Sequence, residues 1–218
     1  MTPDDLAAVH PRLYHLTTPG AHRGIARHGL LSARAIAELV GLEAAARRTL
    51  LERRRPAEVT LSHPEHGTFT INDNLPLTEA ALERCLDDGL SPADWLRALN
   101  GRVYLWPSEE RLRTLLGART NRDRAREVLV FDTRSLVAAH AERVRLSPIN
   151  GGSTIRKPAR RGRSTYAPML EHGWEEWRRL RGGRDAVAEV AIEGGVPDAA
   201  AHLVEVRPVP GRVPATRG

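Results

Sequence analysis

One cysteine, one lysine and no apolar run of membrane-spanning length: the chain is marked first by what it has little of. The single Cys85 excludes an intramolecular disulfide. It lies in "ALERCLDDGL" at helical spacing from Leu82 and Leu86 and reads as a small buried hydrophobe. No basic segment followed by an apolar one opens the chain, so no signal peptide is expected and the compartment reads as cytoplasmic, with no membrane partner. No GxGxxG follows a strand pattern and no GxxxxGK[ST] occurs, which leaves Rossmann and P-loop nucleotide sites unsupported. A GxSxG elbow is also missing. Nine histidines are present, but only His63 and His66 cluster, and Pro64 between them favours a turn over a ligand pair. The expectation is no metal.

What remains is 218 residues, 41% of them hydrophobic, which is enough for a core. The chain is read as one domain spanning 1–218. Its formal charge is +6. All of that excess falls between Thr154 and Arg184, where nine Lys/Arg meet three Glu. Outside that window acids and bases balance.

Periodicity gives about seven or eight strands interleaved with helices, without repeats. "RLYHLT", "AEVTLSH", "GTFTIND", "GRVYLWP", "REVLVFDT", "RVRLSPI", "AVAEVAI" and "HLVEVRPV" read as strands. Thr2, and Thr or Ser before "EAALERC" and "PADWLRALN", read as helix N-caps. Gly29 closes one helix, Gly41 breaks another and Pro56 ends it. The stretch from Asn150 to Tyr166 reads as a long loop, of the length that usually carries function or disorder. Asp73 and Asn74 in "TINDNLPL" read as an Asx-built turn or as part of a site.

Glu189 is the anomaly. It interrupts the apolar run of Ala186, Val187, Ala188, Val190, Ala191 and Ile192. Burying a carboxylate is costly unless something pairs with it or uses it. Either it keeps an edge strand from pairing, or it does chemistry.

Three motifs in order resemble those of one superfamily. "LYHLTTPGAHRGIARHGLLS" is a strand, a helix and a Gly-Leu turn. "GRVYLWPSEERLRTLL" is an aromatic strand running into a helix. "AVAEVAIEGGVP" is a strand carrying a glutamate into a Val-Pro turn. Together they are similar to the ADP-ribosyltransferases of the diphtheria-toxin and PARP type, with their His–Tyr–Glu triad. The last motif looks most like the DarT family of DNA ADP-ribosyltransferases. The chain also resembles an uncharacterised bacterial family with "LSPIN-G-ST" and "RG--T" signatures, here Leu146–Thr154 and Arg161–Thr165.

The resemblance implies an α+β fold, with two small, mostly antiparallel sheets around an NAD cleft and helices outside. It implies NAD-dependent mono-ADP-ribosyl transfer, with NAD as co-substrate. Glu189 matches the catalytic glutamate, His15 the ribose-binding histidine and Tyr104 the residue that stacks on nicotinamide, with Trp106 beside it. Leu16, Thr17 and Ser32 would be further cofactor contacts. Leu16 replaces the usual glycine whose backbone pairs with the nicotinamide amide, and its side chain is expected to crowd that approach. Val187, two residues before Glu189, is not a second acid, which argues against the arginine-specific toxin class.

The acceptor is expected to be a nucleic acid or nucleobase, single-stranded by preference. Arg156, Lys157, Arg160, Arg161, Arg163 and Tyr166 would hold it, with Trp174 and Trp177 nearby. Basic groups with interleaved aromatics are the pattern of single-strand binding. Two rivals stay open: a nucleic-acid-binding module without catalysis, and an RNA 2′-phosphotransferase of the same fold using Arg102 or Arg119 for phosphate.

Overall fold

A computed structural model of the chain describes residues 1–180 and 187–211. Arg181, Arg184 and Ala186, counted above in the basic window and the last motif, lie outside the described residues.

The strands are β1 (Arg12–Thr17), β2 (Leu30–Leu31), β3 (Val59–His63), β4 (Gly67–Ile71), β5 (Arg102–Leu105) and β6 (Arg126–Asp132). They continue with β7 (Val144–Ser147), β8 (Ala167–Pro168), β9 (Glu189–Glu193), β10 (Gly195–Val196) and β11 (Leu203–Val209). All pairings between these strands are antiparallel. One sheet has the order β1-β6-β11 and a second the order β5-β9-β7-β8. β3-β4 is a hairpin, and β10 pairs with β2. The fold is α+β, with several small antiparallel sheets and helices. No helix among the described residues is long and apolar enough to cross a membrane.

Strand alternation builds the core. Leu13, Leu129 and Phe131 face inward from the first sheet; Val103, Leu105, Val144, Leu146, Val190 and Ile192 face them from the second. Burying each such side chain contributes roughly 1.5–3 kcal/mol. The two sheets join at one bridge, where Tyr14 and Trp106 exchange N–H···O bonds of 3.0 and 2.8 Å.

The opposite face of the second sheet carries another cluster, with Tyr104 and Ala191 packed among Leu77, Leu82, Trp95, Leu99 and Tyr166. Helices Glu79–Cys85 and Pro92–Asn100 supply most of it. Their N-caps, Thr78 and Ser91, accept from backbone N–H groups in the first turn, as the sequence predicts. Cys85 is buried among these residues. Asp73 accepts from the Leu75 N–H at 3.0 Å, the Asx-turn bond, and pairs with Arg124 at 2.8 Å.

Short elements escape the sequence pattern. β2, β8 and β10 have two residues each and helix Ala199–His202 has four, too few for a period to register. β9 begins at Glu189, and just before it the Ala188 N–H bonds the Ser147 carbonyl at 2.7 Å.

Candidate functional site

Glu189 stands on an interior strand. β9 is flanked by β5 and β7, and Glu189 lies opposite Ser147. The edge-strand explanation for its charge is therefore excluded. Val190 and Ile192 take the core face, so Glu189 shares the other face with Ala191. It is 3% exposed.

Two donors meet its carboxylate. The Tyr166 phenol donates at 2.8 Å and the Gly151 N–H at 3.0 Å, both to Oε2. Oε1 has no hydrogen-bond partner among the described residues. The Gly151 carbonyl is held in turn by Trp95 Nε1 at 3.2 Å and by Arg161 at 2.9 Å. Only glycine fits here, because a Cβ on residue 151 would sit 2.1 Å from the Tyr166 oxygen. Burial pushes the Glu189 pKa up to about 7. The Gly151 and Tyr166 bonds, then the charges of Arg161 and Arg111, oppose that rise.

Tyr104 stands on β5, next to β9. Its ring centroid lies 5.9 Å from that of Tyr166, and its phenol donates to the Leu99 carbonyl at 3.0 Å. Burial raises the phenol pKa of both tyrosines, so both stay protonated. The Arg102 guanidinium lies 4.9 Å from the Tyr166 ring centre and pairs with Glu193 at 3.4 Å.

His15 comes from the other sheet. Its Nδ1–H donates to the Tyr104 carbonyl at 2.9 Å, which fixes the tautomer and leaves Nε2 as an acceptor. Burial lowers its pKa, so the ring is neutral at pH 7. Histidine, tyrosine and glutamate thus belong to one connected group: His15 to the Tyr104 backbone, Tyr104 to the Tyr166 ring, Tyr166 to Glu189.

Leu16 corrects an expectation. Its side chain does not crowd the His15 side of the strand. It packs on the opposite face, against the cluster of Tyr14, Leu112, Val128 and Val130. Trp106 joins that cluster too, rather than sitting beside Tyr104. In an antiparallel ladder, N–H and C=O groups of alternate residues point to the same side. Tyr14 turns both groups to Trp106, so Leu16 turns both of its own to the same open side of β1. Thr17 ends β1 opposite Glu127 and is half-buried. Ser32 is separate. It caps helix Ala33–Leu39 through the Ala35 N–H, and it lines a cleft of about 360 Å³ with Arg34, Arg102 and Glu193. A second cleft, of about 250 Å³, lies between Asp87, Asp88 and the Arg160–Thr165 segment. Neither is lined by Glu189, His15 or Tyr104.

The basic window divides. Arg156, Lys157 and Arg163 are exposed. Arg160 is exposed too, but its guanidinium pairs with Asp87 and reaches the Leu86 carbonyl at 3.3 Å. Arg161 and Tyr166 are corrections. Arg161 is 2% exposed, bonded to the carbonyls of Gly151, Ser153 and Ala159, and cannot reach a ligand phosphate in this arrangement. Tyr166 is 5% exposed, so no base can stack on it. Trp177, 1% exposed, belongs to the main core, with Trp174 packed against it. Apolar burial claimed these aromatics, and charge counting along the chain did not register it.

Sequence reading missed Gly151 and Arg111 and gave Arg161 and Tyr166 the wrong role. Most of the signal was present in "LSPIN-G-ST" and "RG--T". Gly151 and Arg161 from these stretches meet around Glu189 and Tyr166, and the Gly162 N–H bonds the Thr165 hydroxyl at 2.8 Å.

A family model spans residues 11–203, from the start of β1 to the start of β11. The chain belongs to DUF7002, a family of unknown function. The DUF7002 match covers every residue of the group around Glu189. Comparison with curated proteins and with solved structures gave no match.

Proposed function

We propose that this chain is an NAD-dependent mono-ADP-ribosyltransferase in which Glu189 is the catalytic carboxylate. The observation that carries the reading is the state of that carboxylate. It is buried on an interior strand, with Oε2 tied by Tyr166 and Gly151 and with no hydrogen-bond partner on Oε1 among the described residues.

The chemistry asks for such a group. Breaking the bond between nicotinamide and C1′ sends its electron pair to nicotinamide and leaves positive charge on the ribose. A fixed carboxylate stabilises that charge as it develops. The acceptor then bonds to C1′ and its proton passes to Oε1. A pKa near 7 suits a group that must be ionised first and protonated afterwards.

His15 and Leu16 fit the cofactor. The neutral His15 ring offers Nε2 to a ribose hydroxyl. The free Leu16 N–H and C=O match the donor and acceptor of a carboxamide, and that pairing needs no glycine once the side chain points away. Tyr104 packs the same region, although its ring faces Tyr166. The resemblance to ADP-ribosyltransferases of the His–Tyr–Glu type supports the same assignment.

A nucleic acid is the proposed acceptor, on the strength of exposed Arg156, Lys157 and Arg163. The test is incubation with labelled NAD and separate pools of DNA, RNA and protein. Label is expected in nucleic acid and to be absent with Glu189→Gln. Failure to bind NAD by calorimetry would remove the cofactor and leave a nucleic-acid-binding module. Label in protein would remove only the acceptor.

A further inference from the structure

Two histidines outside the Glu189 group converge on one carboxylate. His140 ends helix Thr133–His140, and His202 ends helix Ala199–His202. His140 Nε2 lies 2.7 Å from Asp198 Oδ1, and His202 Nε2 lies 3.2 Å from Asp198 Oδ2. Both imidazoles are buried, while the Asp198 side chain is 47% exposed. The rings stand almost perpendicular, with centroids 5.8 Å apart. Among the described residues this is the one group of three side chains whose ligand atoms meet within 4.8 Å.

We propose that His140, Asp198 and His202 bind a divalent transition metal, with Zn²⁺ the first choice. Two imidazoles and one carboxylate are a zinc donor set, and three protein ligands leave a position for water. The exposed side of Asp198 faces solvent, where that water would sit. Ligand atoms around zinc stand about 3.3 Å apart, the edge of a tetrahedron with bonds of about 2.0–2.1 Å. The present His–Asp separations of 2.7 and 3.2 Å lie just below that edge, and all the ligand atoms lie within 4.8 Å of one another.

The outer partners decide the protons. The Ser135 hydroxyl lies 3.1 Å from His202 Nδ1 and can accept from it once Nε2 carries the metal. Arg143 NH2 lies 2.7 Å from His140 Nδ1. Metal on His140 Nε2 moves that ring's proton to Nδ1, so this contact must be released. Arg143 then remains anchored through NH1, which donates to the Glu193 and Gly195 carbonyls at 2.7 Å each. The site was invisible along the chain because His140 and Asp198 are 58 residues apart.

The test is equilibrium dialysis of the full chain against Zn²⁺, followed by metal analysis, with Co²⁺ as a spectroscopic substitute. One Zn²⁺ per chain is expected, and a tetrahedral Co²⁺ absorption band. His202→Gln and Asp198→Asn should weaken binding by more than the roughly 10–100-fold that follows loss of an outer-shell partner. Asp198→Asn changes an exposed side chain, so it stays informative if a histidine variant fails to fold. Zn²⁺ should raise the melting temperature of the unaltered protein and not that of Asp198→Asn. His63→Gln with His66→Gln should leave binding unchanged. No stoichiometric binding, or binding that survives Asp198→Asn and His202→Gln but is lost with the His63 and His66 changes, would overturn the proposal.

Discussion

The Tyr166 phenol and the Glu189 carboxylate, 23 residues apart, meet at 2.8 Å inside the protein. A buried carboxylate raised toward neutrality and a donor that favours its ionised form act against each other. The predictions for both residues follow from that balance.

Glu189→Gln is expected to separate activity from stability. NAD turnover should fall by about 10²–10³, the scale of losing one well-placed electrostatic group. Stability should move the other way at high pH. The folded pKa of about 7 lies above the ordinary 4.5, so the native state holds the proton longer than the unfolded chain. Stability from this group is full below pH 4.5 and is lost as pH rises to about 7, by on the order of 3 kcal/mol. Denaturant melts at pH 5 and pH 8 should show a drop in the unaltered protein that is smaller in Glu189→Gln. Equal drops in both would mean that the Glu189 pKa is not raised.

Tyr166→Phe removes one donor to the ionised form. The Glu189 pKa should climb further, and the rising limb of the pH–activity profile should move to higher pH. A hydrogen bond to a charged group contributes about 1.5–3 kcal/mol, so stability at pH 8 should fall by that order and change less at pH 5. A profile that keeps its limb would show that Tyr166 serves packing alone.

His15→Ala should weaken NAD binding by roughly five- to tenfold, the worth of one hydrogen bond of about 1 kcal/mol. Tyr104→Phe keeps the ring and loses only the bond to Leu99, so NAD affinity should survive it. Tyr104→Ala should not preserve it. Calorimetry on the folded variants checks all three, and unchanged affinity in His15→Ala would take His15 out of the cofactor site.

Binding to single-stranded oligonucleotides should depend on salt through Arg156, Lys157 and Arg163. Changing these three to Ala should shrink the log–log slope by roughly 0.7 for each phosphate that is no longer neutralised. Arg161→Ala should instead destabilise the fold, because it strands the Ser153 carbonyl and leaves that of Gly151 to Trp95 alone. An unaltered slope in the triple variant would leave a protein or small-molecule acceptor.

Local rules carried much of the fold. Thr2, Thr78, Ser91 and Gly29 mark helix ends where the capping pattern puts them. Strands of four or more residues announce themselves by alternation or by continuous runs of β-forming apolar residues, and the lone acid at Glu189 pointed to the centre of the group. What the sequence could not show is where the Asn150–Tyr166 loop goes. Counting its arginines treats all of them as surface, yet Arg161 turns inward to a glycine carbonyl ten residues before it. Only packing separates Arg161 from Arg163. The same holds for Leu16, whose harmlessness depends on which face of β1 it takes.

Two glycines set a fixed ruler into the molecule. A methyl on Gly29 would lie 2.5 Å from Pro197, and one on Gly195 would lie 2.5 Å from the Leu30 oxygen. The chain leaving His15 and the chain leaving Glu189 are thereby pressed together where β2 meets β10. An insertion between Glu189 and Val196, where β9 runs into β10 across Gly194 alone, would pull the glutamate out of step with β2. Extra residues elsewhere, at the His63–Gly67 turn for instance, would leave that spacing untouched.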